Sequence, residues 1–228
     1  MKNKDKLQGI CTISVYLSLY FIVPFILVIL PINYNDWNIN AKIIFNIAYD
    51  LLLISITYLI MKDTIKDNFF NYIKNIKMYL SKYIKYWFLA LGLMLTSNII
   101  IQMFTHRLPQ NEESVRTLFD KSPILFFILA TCLGPIIEEF IFRLSIYKIL
   151  RNHKKLFIVI SGLLFGGAHI IGNISSMIDI LYIIPYGVPG CVFAYTLVKS
   201  DNIFVPISLH LFNNTFALIL QIISMILK

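Results

Sequence analysis

Runs of about 20 apolar residues, each long enough to cross a bilayer as an α-helix, recur along the whole chain. They are separated by short polar stretches. With 58% hydrophobic residues, 14% charged residues and a mean hydropathy of +0.75, the 228-residue chain has more apolar surface than a soluble core could cover. The fold class is therefore predicted to be all-α, a polytopic transmembrane helical bundle.

About seven spans are predicted, with six and eight as alternatives. They cover approximately residues 10–30, 43–61, 86–104, 123–150, 156–172, 177–198 and 203–227. The first run has no small-residue cleavage site after it, so we expect a retained span and not a signal peptide. We find no soluble domain and no internal repeat, and we treat residues 1–228 as a single integral membrane domain.

The net charge of +8 is concentrated at the N-terminus, in residues 62–85 and 151–155, and at Lys199. These stretches alternate with neutral ones, so the positive-inside rule predicts that they and the N-terminus are cytoplasmic. In a soluble protein such a charge would suggest nucleic acid. Here the lysines adjoin apolar spans, so we expect them to meet anionic lipid head groups, and we expect no nucleic-acid partner.

Residues 62–85 differ from the rest of the chain because lysines alternate there with apolar residues. The apolar residues recur every three or four positions, which predicts a basic amphipathic helix lying in the cytoplasmic interface. A basic linker is the alternative interpretation.

The fourth apolar run contains three ionisable residues, Glu138, Glu139 and Arg143. Such groups are costly in hydrocarbon, so a cluster of them indicates a functional site. Glu139 and Arg143 are four residues apart, which places them on one helix face and predicts a supporting ion pair. The other acid, Glu138, is then available for chemistry, although a pair of acids could equally serve proton or ion transport.

Two further polar groups lie on later spans: His169 with Phe165 one turn before it, and His210 with Asn214 one turn after it. At 1.5 Å per residue, Glu138 lies roughly 15–20 Å, His169 roughly 20 Å and the last pair roughly 10–17 Å from the basic end of its span. Unrelated packing residues have no reason to share a depth. The agreement predicts one shared site.

These residue types suit two kinds of hydrolysis. A carboxylate such as Glu138 beside His169 can act as a general base toward water, while His210 and Asn214 polarise a carbonyl and stabilise the oxyanion. Alternatively, Glu138, His169 and His210 could bind a divalent metal such as zinc, whose bound water is then the nucleophile. The residues alone do not choose between them.

Small and helix-breaking residues surround these groups. Gly162 and Gly166, followed by Gly167, give the fifth span a small face that lets neighbouring helices approach His169. The sixth span contains Pro185, Gly187, Pro189 and Gly190. This composition predicts a broken helix at the substrate entrance.

Taken together, three patterns lie in one order on three separate spans. They read Glu138-Glu139-Phe-Ile-Phe-Arg143, Phe165-Gly-Gly-Ala-His169 and His210-Leu-Phe-Asn-Asn214. This set resembles Glu-Glu-x-x-x-Arg, Phe-x-x-x-His and His-x-x-x-Asn of the CAAX prenyl protease and bacteriocin-processing (CPBP, Abi) family of intramembrane proteases. The resemblance covers about residues 120–220, the predicted catalytic core. Leu144 stands where the family often has glycine, and Asn213 beside Asn214 is a second amide.

By this resemblance, Glu138 would activate water with His169 as its partner, and His210 with Asn214 would stabilise the transition state or bind metal. Glu139, Arg143 and Phe165 would support them. Both metalloprotease and metal-free glutamate mechanisms are described for the family, so zinc stays open. Bacterial members are linked to bacteriocin or peptide-pheromone processing and to immunity. The resemblance thus implies an endopeptidase of the bacterial cell membrane that cuts a small membrane-associated peptide or protein.

Two other classes of function remain as alternatives. A non-enzymatic immunity or scaffolding protein of the same fold would need the helices but not the ionisable residues. An ion-coupled transporter would use Glu138 and Glu139 differently and would usually show two related halves, which the chain does not.

Overall fold

The computed structural model describes residues 2–30, 33–106, 109–171, 174 and 176–226. Within these residues the chain forms helices and no strands, which confirms the all-α prediction. The main helices are α1 Lys2–Ile29, α2 Ile39–Lys74, α3 Ile76–Thr105, α4 Gln110–Lys121, α5 Pro123–Leu150, α6 Lys154–Ile170, α7 Ile183–Ser200 and α8 Phe204–Ile226. Short 3₁₀ turns cover Tyr34–Asp36 and Met177–Tyr182.

Six of the described helical segments are long and apolar enough to cross a membrane, one fewer than the seven spans expected. They are α1, α2, α3, α5, α8 and α7 together with the 3₁₀ turn before it. The difference is α6, which was predicted to span. It has 17 residues, and at 1.5 Å per residue it is only about 25 Å long, less than a typical hydrocarbon core.

The basic segment 62–85 consists of two helical arms and is not one interfacial helix. Its first arm continues α2 to Lys74, and its second arm is the start of α3, which follows directly after Asn75. Met61 has non-helical dihedral angles (φ −116°, ψ 23°), so a kink separates the first arm from the span. The Gln8 side chain donates a hydrogen bond of 2.6 Å to the carbonyl of Ile60 beside this kink. A pattern of apolar residues could not reveal the break at Asn75.

Helix α5 is interrupted by two π-helical turns, Leu129–Leu133 and Phe140–Ser145, which flank the glutamate pair. In a π turn each carbonyl is offset from its usual partner, and such turns are frequent at functional sites. Hydroxyl donors bind carbonyls at the second turn: Ser145 donates to Phe140 at 2.8 Å, and Ser161 of α6 donates to Phe142 at 2.7 Å. The two turns set the direction in which α5 presents Glu138 and Glu139.

Helices α6 and α7 pack closely through glycines. A Cβ atom on Gly166 would come within 2.6 Å of the Ile183 carbonyl oxygen, and one on Gly162 would meet Cys191 Sγ at 2.2 Å. The predicted small face is therefore seen at Gly162 and Gly166. Gly167 is different, because a Cβ there would meet nothing within 4 Å.

The prediction of a broken helix between Pro185 and Gly190 is wrong. Helix α7 runs unbroken from Ile183 to Ser200. Pro185 lies in its first turn, where a missing N–H costs no helical hydrogen bond. The glycines serve instead to admit α6: a Cβ on Gly190 would lie 2.9 Å from Gly162 Cα.

Near the basic end of the bundle, a buried lysine ties α1 and α2 to α5. Lys148 is 7% exposed, and its Nζ lies 2.7 Å from Asp5 Oδ1, 3.0 Å from Gln8 Oε1 and 2.8 Å from Thr64 Oγ1. Buried charges are stable only when they are paired and hydrogen-bonded. This cluster fixes the N-terminal helix against the helix that carries the glutamates.

Candidate active site

Helix α8 brings His210 between the two glutamates of α5. Its Nδ1 lies 2.8 Å from Glu139 Oε1, and its Nε2 lies 3.5 Å from Glu138 Oε2. The imidazole is almost fully buried, with 4% of its side chain exposed. The predicted depth match between these two spans therefore corresponds to a direct contact.

The two glutamates differ in their access to the surroundings. The Glu138 side chain is 30% exposed, whereas the Glu139 side chain is fully buried. Glu138 is therefore accessible from outside the packed helices, whereas Glu139 is not. This division agrees with the roles predicted for them, one chemical and one supporting.

Glu139 is paired with Arg143 inside the protein, as the four-residue spacing predicted. Arg143 Nε lies 3.2 Å from Glu139 Oε2, and both side chains are fully buried. The contact does not have hydrogen-bond geometry, so it is an electrostatic pairing. The guanidinium also lies over the Phe165 ring, 4.1 Å from its centroid, and desolvated cation–π contacts of this kind are favourable.

Phe165 joins the second pattern to the third. Its ring centroid lies 4.4 Å from that of His169 and 5.5 Å from that of His210. One aromatic ring thus contacts both histidines and the arginine. Its predicted supporting role has a physical basis in these contacts.

His169 has a defined hydrogen bond on one side of its ring. Nδ1 lies 2.9 Å from the carbonyl oxygen of Phe165. A carbonyl can only accept, so Nδ1 carries the hydrogen and Nε2 is the acceptor atom of the neutral ring. An imidazole in this tautomer can take up a proton at Nε2.

Asn214 is anchored on α5. Its Nδ2 donates to the carbonyl of Ala130 at 2.9 Å, within the first π turn. Asn213 donates only to the neighbouring Asn214 Oδ1, at 3.4 Å, in the described structure. The amide that spacing favoured is therefore the one that contacts the helix carrying Glu138 and Glu139. One N–H of Asn214 is used by Ala130, and an amide has a second.

The proposed metal-ligand set is not gathered. Among the residues that the structure describes, no three His, Cys, Asp or Glu side chains lie close enough together to hold a metal ion. His210 Nε2 lies 3.5 Å from Glu138 Oε2, but His169 does not join this pair as a third possible ligand among the described residues. Since this arrangement does not fit a resident zinc ion, we derive no step through one.

Sequence reasoning missed two aromatic residues of α7. The Tyr186 ring lies 4.9 Å from that of His169 with the planes 22° apart, and the Phe193 ring lies 5.3 Å from that of His210. Aromatic residues are common in apolar spans, so the residue types of Tyr186 and Phe193 did not indicate that they contact the two histidines. The nearby glycines, which bring α7 close to α6, were the only indication.

Comparison with known proteins finds a family match in the second half of the chain. Residues 120–216 match the profile of the family described as type II CAAX prenyl endopeptidase, Rce1-like. This range contains all three patterns, and the match confirms the predicted resemblance. No solved structure matches the chain.

The chain is also similar to three bacterial proteins. Over 126 residues it is 29% identical to YdiL, a membrane protein of Bacillus subtilis (strain 168), covering 54% of this chain and 48% of that protein. Over 140 residues it is 29% identical to the membrane-embedded CAAX protease MroQ of Staphylococcus aureus (strain USA300), covering 58% and 53%. With the UPF0177 protein YvdC of Lactococcus lactis subsp. lactis (strain IL1403) it shares 24% identity over 113 residues, covering 50% and 41%. The chain spans about half the length of these relatives.

Proposed function

Through residues 120–216 the chain belongs to the Rce1-like family of CAAX prenyl endopeptidases, and we propose that it is an intramembrane endopeptidase. Its apolar helices and its relatives make it a multi-pass membrane protein. The observation that carries the proposal is the position of His210, between a partly exposed Glu138 and a fully buried Glu139. In this arrangement Glu138 is an accessible base, and the His210 imidazole is held in place by Glu139.

Glu138 acts as the general base. Its carboxylate takes a proton from water while the water oxygen bonds to the carbonyl carbon of the peptide, and the carbonyl electrons move to oxygen. When this tetrahedral intermediate collapses, the C–N bond breaks and Glu138 returns its proton to the leaving amine. His169, whose Nε2 is an acceptor, helps to hold the water or shares the proton.

His210 stabilises the oxyanion. Because Nδ1–H donates to Glu139, the ring is fixed, and a proton on Nε2 makes it a cation between two anions. Glu138, His210, Glu139 and Arg143 then alternate in sign, which is the least costly arrangement in apolar surroundings. At 3.5 Å, the Nε2 contact with Glu138 is longer than a charge-assisted hydrogen bond, so Nε2–H can donate to an oxyanion instead. The second N–H of Asn214, one turn later, supplies another donor.

The proposed substrate is a small membrane-associated peptide or protein, cut in bacteriocin or peptide-pheromone processing or in a related immunity pathway. A similar protein, MroQ, is named as a membrane-embedded CAAX protease. The basic segment 62–85 exposes phenylalanines and isoleucines beside its lysines, which suits contact with an amphipathic peptide and with anionic lipid. We place the protein in the bacterial cell membrane with a cytoplasmic N-terminus.

A cleavage assay tests the proposal. The purified protein in proteoliposomes is incubated with a panel of quenched-fluorescent amphipathic peptides. Glu138→Gln should lower the cleavage rate by about 10²–10⁴-fold, the usual contribution of a general base. His210→Gln should cost about 10²–10³-fold, as for loss of an oxyanion donor. Glu113→Gln, on the exposed face of α4, is the matched control and should cleave normally.

The same assay separates the alternatives. We expect cleavage to survive a strong chelator, because the described residues do not gather a three-ligand metal site. Loss of activity that added zinc restores would contradict the metal-free mechanism. If Glu138→Gln cleaves as fast as the wild type, the endopeptidase proposal is wrong, and the non-enzymatic immunity or scaffolding function becomes the better interpretation.

A further inference from the structure

Tyr186 of α7 makes the most nearly parallel ring contact with a predicted catalytic side chain in the described structure. Its ring centroid lies 4.9 Å from that of His169, with an interplanar angle of 22°. The Phe165 ring also contacts His169 but is inclined by 47°. Tyr186 lies outside all three patterns of the sequence, so the proposed mechanism assigns it no role.

His169 lies near the end of its helix. It is the next-to-last residue of α6, which ends at Ile170. Helix ends fray, so the backbone alone holds a side chain less firmly there than in mid-helix. The hydrogen bond from Nδ1 to the Phe165 carbonyl depends on this last turn staying closed.

The packing of α6 against α7 places Tyr186 at this helix end. A Cβ on Gly166 would lie 2.6 Å from the Ile183 carbonyl oxygen and 2.9 Å from Gly187 N, so the two backbones touch one turn before His169. Tyr186 is the residue immediately before Gly187. The close approach of the two backbones therefore fixes the backbone position of Tyr186 relative to α6.

The other end of the tyrosine is also held. Asn111 of α4 donates from Nδ2 to Tyr186 Oη at 3.4 Å. Tyr186 and Asn111 line a small pocket with Pro109, Asp179 and His169. The tyrosine ring is thus fixed by its backbone, by its hydroxyl and by its stacked face.

We propose that Tyr186 is a positioning residue, which keeps the His169 ring in the orientation that donates from Nδ1 to the Phe165 carbonyl and leaves Nε2 as the acceptor. The inference rests on the proposed role of His169 in holding water or sharing the proton. Tyr186 contacts neither substrate nor water in this account. It acts through the ring that it covers.

Ring and hydroxyl contributions are separable by substitution. Tyr186→Phe keeps the stacked ring and loses only the Asn111 contact, so kcat should stay within about twofold of the wild type. Tyr186→Leu removes the ring and should lower kcat about threefold to tenfold, the range expected for one aromatic contact, with KM unchanged. The control is Tyr195→Leu on the same helix, which loses a ring contact with Tyr86 at 5.3 Å but lies away from His169. It should keep the wild-type kcat.

A measurement without substrate tests the positioning itself. The chain has four histidines, so ¹⁵N-labelled imidazoles can be resolved by solid-state NMR, with His169→Gln identifying the signal of His169. The wild type and Tyr186→Phe should show the Nδ1–H tautomer, and Tyr186→Leu a mixture of tautomers. An unchanged tautomer in Tyr186→Leu would overturn the proposal, as would equal losses of kcat in the Phe and Leu variants or in Tyr195→Leu. If no peptide is cleaved, the tautomer result still decides the positioning role, so failure of the proposed function is distinguishable.

Discussion

Replacing Arg143 with methionine should destabilise the protein by about 3–5 kcal/mol, because it removes the guanidinium that is paired with the buried Glu139 carboxylate. The structure gives the scale. At the observed separation of 3.2 Å and an effective dielectric constant of about 20, Coulomb attraction between the two charges is about 5 kcal/mol. The methionine also loses the cation–π contact with Phe165, while filling a similar volume.

The charges, and not the packing, should account for this loss. The double variant Glu139→Gln/Arg143→Met removes both charges and keeps an oxygen that can accept from His210. We therefore expect it to recover most of the stability, to within about 1–2 kcal/mol of the wild type, since a buried pair as a whole is worth little. Arg151→Met is the matched control on the same chain segment. Arg151 is 51% exposed and lies 3.5 Å from Asp5, so its loss should cost under about 1 kcal/mol.

Thermal unfolding in detergent measures these differences. After the exposed Cys132 is replaced by serine in every variant, a maleimide dye reports unfolding through Cys11 and Cys191, which are only partly exposed in the folded protein. For a chain of this size, the loss in Arg143→Met corresponds to a fall of about 10 °C in the unfolding midpoint. The reasoning is refuted if Arg143→Met unfolds near the wild-type midpoint, or if the double variant is no more stable than the single one.

Three further predictions concern packing and anchoring. Gly166→Ala should cost about 1–3 kcal/mol by forcing α6 from α7, whereas Gly167→Ala, with open space around its Cβ, should leave the unfolding midpoint unchanged or slightly higher. Lys148→Met should cost about 1–3 kcal/mol and speed maleimide labelling of α1, because the contact that holds that helix is lost. Lys4, whose side chain is 72% exposed, is the control, and Lys4→Met should change neither stability nor labelling. Equal labelling rates in Lys148→Met and the wild type would contradict the anchoring role of Lys148. Asn214→Ala should cost about 1–3 kcal/mol in the same thermal scan by leaving the Ala130 carbonyl unsatisfied, and a midpoint equal to the wild type would show that this bond contributes nothing.

The features that sequence could predict are those set by local spacing or by depth. Apolar run length predicted all six of the described segments that are long and apolar enough to span, and the three sequence patterns placed the candidate site on the later helices. The four-residue spacing gave the Glu139–Arg143 pair, and helical rise placed His210 near Glu138. Each of these follows from one helix taken by itself, or from two helices measured from the same membrane face.

The features that sequence could not predict depend on contacts between helices. The two π turns of α5 had no signature in the sequence, because they are defined by backbone hydrogen bonds and not by residue type. The glycines of α7 predict a broken helix when the sequence is considered alone, because composition does not say that Gly162 lies against Gly190. The contact of His210 with both glutamates depends on how α8 packs against α5, whereas spacing along each span predicts only a similar depth in the membrane.

The position of His210 on the last helix has a consequence for how the protein is made. The glutamates and their imidazole are separated by 71 residues, so α5 is synthesised and inserted well before α8 leaves the ribosome. During that interval Glu138 and Glu139 have only Arg143 as a counter-charge. The proposed hydrolytic centre is assembled only once α8 has been inserted beside α5, so a chain that stops before α8 would hold both acids without His210.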